Sequence, residues 1–161
     1  MTRRNWKRYV PTSLREALQG CKDFALERQR LSVERIAERM GLEDHWVLYK
    51  WISSARMPLV LVPAYQHVCG IDLVNRYLAA SAGQLLVPVP TGRRAEPTEL
   101  VALNSGFAQA LQLLTDFYDA GTGRVPDPGA TLEALRSHLE AVAAHHANVS
   151  SYANPELEFN A

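Results

Sequence analysis

Apolar residues recur at three- and four-residue spacing over most of the chain, the period of helices that bury one face. Leu14, Ala17, Leu18, Cys21, Phe24 and Ala25 mark a first helix that opens on a Thr12 or Ser13 cap. Gly20 interrupts it at a modest propensity cost, as expected where another helix comes close. A second helix follows a Ser32 cap, with Ile36, Ala37 and Met40 on one face. Gly41 suits a left-handed stop, and Leu42 fills the angle to the next helix. Val47, Leu48 and Trp51 are expected to face inward from that third helix, leaving His45, Trp46, Tyr49, Lys50 and Ser53 outward. Two short helices joined by so tight a turn form a helix-turn-helix pattern. Pro58 and Pro63 place the start of a fourth helix near Leu59 or Pro63, and Gly70 ends it. Asp72 is expected to cap a fifth, Leu73 to Ala82, which Gly83 closes.

The pattern then changes. Leu85-Leu86-Val87-Pro88-Val89-Pro90 has prolines two apart, which excludes a helix and leaves an extended segment. Residues 84–98 therefore read as a linker, separating a domain over 1–83 from a helical part over 99–148. There Leu100, Leu103, Phe107, Ala110, Leu114 and Phe117 keep a heptad-like rhythm. Leu132, Leu135, Leu139 and Val142 repeat it beyond a Gly/Pro-rich loop, Gly121 to Gly129, so an antiparallel helical hairpin is expected. A lone hairpin buries one stripe per helix, so it either packs on the first domain or pairs with another copy. Leu103, Phe107, Leu114, Leu135 and Leu139 are the residues expected to mediate self-association. Residues 149–161 turn polar and read as a loose tail.

Charge sharpens the division. The 161-residue chain is formally neutral, with 17 basic and 17 acidic residues. Residues 1–60 hold 12 Lys and Arg against 7 Asp and Glu, a net of +5, while 61–161 hold 5 against 10, a net of −5. A basic half beside an acidic half suits a nucleic-acid face on a carrier that does not touch nucleic acid. Arg3, Arg4, Lys7 and Arg8 make residues 1–11 a basic arm, suited to phosphates or a minor groove.

Other classes find little support. No stretch reaches the roughly 20 apolar residues of a membrane span, and the basic N-terminus lacks a signal peptide's apolar core, so a cytoplasmic protein is expected. Cys21 and Cys69, each in apolar surroundings, read as buried thiols rather than a disulfide. His138, His145 and His146 lack partners at metal-ligand spacing, and there is neither a phosphate-binding Gly loop nor a nucleophile elbow. No metal, cofactor or enzymatic activity is expected.

The segments Ile36-Ala37-Glu38-Arg39-Met40-Gly41-Leu42 and Leu48-Tyr49-Lys50-Trp51 resemble the phage regulatory CII-like proteins, YmfL-type members included. Pro58 to Gly70, Leu85-Leu86-Val87-Pro88 and the distal hairpin extend that resemblance over roughly residues 10–145. It implies an all-α fold: a five-helix lambda-repressor-like helix-turn-helix domain, an extended linker and an antiparallel hairpin. It further implies a transcriptional activator or repressor, acting as a dimer or tetramer on double-stranded DNA at phage or prophage promoters. RNA polymerase or another regulator is the further partner this suggests.

On that footing the recognition helix spans about 44–53, and the DNA-binding residues are His45, Trp46, Tyr49, Lys50, Ser53 and Arg56, with Arg3, Arg4, Lys7 and Arg8 of the arm. Two registers remain open. Placing Leu48 at the buried position of that helix leaves one extra residue after Gly41. Placing Val47 there puts Lys50 where an apolar side chain belongs. Glu43 and Asp44 open the helix, where an acidic side chain caps it or accepts from cytosine N4. The competing reading is a phage protein-interaction module, an anti-repressor or host-protein inhibitor, anchored by Trp46 and Tyr49.

Overall fold

Seven α-helices and one short 3-10 turn carry the regular structure in the computed structural model, which describes residues 5–89, 95–119 and 127–153. The chain divides into two units, Met1–Leu86 and Val87–Ala161.

The first unit is built around α1 (Leu14–Gln29), whose Ser13 hydroxyl accepts from the Glu16 amide at 3.1 Å. Ala17, Leu18, Cys21 and Ala25 are its buried stripe. Gly20 is where α5 (Leu73–Ser81) crosses: a Cβ there would stand 2.6 Å from Leu73 Cδ1. Between them lie α2 (Val33–Arg39), α3 (His45–Ser54), the turn Leu59–Leu61 and α4 (Val62–Cys69). Leu18, Ile36, Leu48, Tyr65, Leu73, Val74 and both cysteines fill the core. The Tyr65 hydroxyl, buried with them, donates to the Leu18 carbonyl at 2.8 Å, so its polar atom is not stranded.

Three expectations change here. Asp72 is the N-cap residue of α5 but makes no side-chain cap bond; its carboxylate pairs with Arg76 at 2.7 Å. Gln66 of α4 does the capping instead, its Oε1 accepting from the amides of Val74 (2.8 Å) and Asn75 (3.2 Å). The N-terminal segment is anchored rather than a free arm from residue 6 on. Trp6 is buried, meets Tyr9 and Phe24 edge-on, and donates from Nε1 to Glu27 at 2.8 Å. Arg76 Nη1 donates to the Trp6 carbonyl at 2.8 Å, tying the segment to α5. Finally, Val47 is exposed while Leu48 and Ile52 are buried.

In the second unit, α6 (Pro97–Tyr118) begins inside the expected linker, because Glu96 and Glu99 form a reciprocal capping box and Pro97 stands where no amide is needed. α7 (Pro128–Ala153) continues five residues past the expected end of the hairpin at 148. The two helices pack on each other, with Phe107 against His138 at 5.3 Å between ring centroids. Only Ala110 and Thr131 are buried among the described residues of these helices. Leu103, Leu114 and Leu135 are half-buried, whereas Phe107 and Leu139 are exposed. Residues 120–126 of the connecting loop and 154–161 of the tail lie outside the described residues.

Candidate nucleic-acid interface

The turn between α2 and α3 is closed by backbone bonds. Gly41 sits at φ +72, and the Leu42 amide donates to the Ala37 carbonyl at 2.9 Å. Asp44 then caps α3, its Oδ1 accepting from the Trp46 amide at 2.8 Å. Leu48 and Ile52 turn into the core at i and i+4, which fixes the helix's rotation. Of the two inward candidates, Leu48 therefore takes the buried position, while Val47 and Lys50 remain exposed.

The outward face of α3 is aromatic. Trp46 is 68% exposed, its ring 5.6 Å from that of Tyr49 and 5.2 Å from that of His45. His45 is half-buried; Tyr49, Lys50, Ser53 and Arg56 are exposed. The Tyr49 hydroxyl donates to Glu34 of α2 at 3.0 Å, bracing this face against the preceding helix. The bond raises the Tyr49 phenol above its ordinary range, since the carboxylate holds the proton on. Glu34 is held below the usual carboxylate range by the Ser32 hydroxyl first, then by its own backbone amide and Tyr49. The hydroxyls of Ser53 and Ser54 donate back to the Lys50 carbonyl, at 3.1 and 2.6 Å.

Lys7 and Arg8 are exposed on the anchored N-terminal segment. Arg3 and Arg4 lie outside the described residues. Leu59 and Val60, on the turn before α4, are 76% and 82% exposed. The sequence marks Leu59 only as a possible helix start and Val60 not at all; the signal for both is a pair of aliphatics directly after Pro58. Among the described residues no three His, Cys, Asp or Glu side chains gather as a metal site, and no helix is long and apolar enough to cross a membrane. No family model, curated protein or solved structure matches this chain.

Proposed function

We propose that the chain is a sequence-specific DNA-binding transcriptional regulator of phage or prophage type, with α3 as the recognition helix of a lambda-repressor-like domain. The observation that carries this is the α2–α3 pair. Its inner face is closed by Ile36, Ala37, Leu48 and Ile52, while Trp46, Tyr49, Lys50 and Ser53 stand clear on one side of α3. A helix with its side chains is about 10–12 Å across and the major groove about 12 Å wide, so such a face can enter the groove. The hairpin supplies self-association: Leu100, Val101, Phe107, Leu111, Leu132 and Leu139 are exposed, an apolar surface suited to a second copy.

Fluorescence polarisation with duplex DNA flanking the protein's own gene tests the reading. Affinity should fall steeply and linearly, on logarithmic axes, between about 50 and 200 mM salt. No duplex binding, or binding insensitive to salt, overturns it. The exposure of Trp46 together with Leu59 and Val60 favours a second reading, a protein-docking module, because exposed aromatic and aliphatic anchors typify protein interfaces. That reading expects capture of a protein partner, lost on Trp46→Ala, by a chain that binds no DNA.

A further inference from the structure

Resting on the DNA-binding reading, we propose that Trp46 and Tyr49 read the 5-methyl groups of neighbouring thymines in the major groove. His45–Ser54 contains no Arg, Asn or Gln, the side chains that pair bidentately with guanine or adenine edges. The hydroxyl protons of Ser53 and Ser54 are turned back onto the Lys50 carbonyl, and Asp44 is engaged by the Trp46 amide. Lys50 is left as the one long flexible donor of this helix. Hydrogen-bond readout from α3 is therefore sparse.

What α3 offers instead is an aromatic ledge. The rings of Trp46 and Tyr49 stand 5.6 Å apart with a 38° tilt, and His45 lies against Trp46. Glu34 holds the phenol's polar end toward α2, which leaves the rest of that ring as a hydrocarbon surface. The thymine methyl is the apolar group that base edges present in the major groove. Successive bases on one strand rise about 3.4 Å and also rotate about the axis, which carries neighbouring thymine methyls further apart than the rise and toward the 5.6 Å that separates the two rings. Both residues lie in the first half of α3, the end that meets base edges in helix-turn-helix complexes. Lys50 and Arg56, both exposed further along, supply positive charge for the phosphates.

The test uses the full-length protein and a duplex enriched by binding from a randomised pool. Each thymidine of that duplex is replaced in turn by deoxyuridine, which removes the methyl and keeps the base pair. Wild-type affinity should drop about fourfold per methyl at one or two neighbouring positions, the factor expected for one buried carbon. Trp46→Ala, at a surface position, should bind more weakly and lose the distinction between the two bases there. A bound duplex indifferent to deoxyuridine at every position overturns the inference and leaves DNA binding standing. If no duplex is enriched, the DNA-binding reading fails and the inference falls with it.

Discussion

Gln66 is the residue on which the end of α5 depends. Its amide oxygen accepts from two backbone amides, and its nitrogen donates to Asn75 Oδ1 at 3.1 Å. Gln66→Ala strands the buried Val74 amide, so the unfolding free energy should fall by about 1–3 kcal/mol in urea denaturation. Glu cannot donate to Asn75, yet it keeps the acceptor, so Gln66→Glu should cost less than Ala. The cysteines set an alkaline limit. Burial pushes the Cys21 thiol from 9.0 up to about 12, and burial raises Cys69 as well. The unfolded chain thus releases these protons first. Their contribution is whole below pH 9.0 and is lost as pH climbs toward 12. Urea midpoints measured from pH 8 to 11 should fall in the wild type and fall less in a Cys21→Ala, Cys69→Ala variant. Equal slopes in the two proteins would mean that the thiols do not set the alkaline limit.

At the scale of the element, the rotation of α3 separates adjacent residues of similar chemistry. Leu48 is fully buried, and its replacement by Ala should cost roughly 2–5 kcal/mol. Val47→Ala should stay within about 0.5 kcal/mol, as an exposed substitution does. Reversed magnitudes would mean the other register. Periodicity alone left both open, because neighbouring apolar residues lie about 100° apart on a helix and either can begin an inward stripe. The choice is made by packing across the domain, where Ile52 joins Leu48, and no local pattern contains that. Local signals were legible where local physics decides: the Ser13 and Ser32 caps, the Gly41 and Gly70 stops and the close approach at Gly20 all act within a turn or at one contact. The Gln66 cap was not, since it joins residues of different helices. Trp6 was hidden among basic neighbours, although its spacing to Tyr9 is helical. Of the candidate interface, the outward set on α3 was visible in the sequence. The brace from Glu34 to Tyr49 needed the fold.

For the whole molecule, the division of charge and the apolar hairpin make separable predictions. Trp6 belongs to the core, so removing the N-terminal segment to test its charge would damage the domain. Arg3, Arg4 and Lys7 changed together to Gln keep Trp6 in place. Each lost phosphate contact should then lower the salt slope by about 0.9 without changing base preference. An unchanged slope would mean that these charges stand away from DNA. The hairpin answers to a different measurement. If the chain binds DNA as proposed, a two-fold operator requires two α3 helices about 34 Å apart, or a multiple, and therefore a second copy. Val101 and Leu132 are apolar and 68% and 66% exposed, so replacing each by Glu adds charge to a wet surface and should leave the fold intact. In light scattering at micromolar concentration, the full-length wild type should be an oligomer and the Val101→Glu, Leu132→Glu variant a monomer, with weaker duplex binding if the proposed DNA-binding reading holds. A monomeric wild type, or a variant that assembles as before, would rule out this surface as the interface between copies.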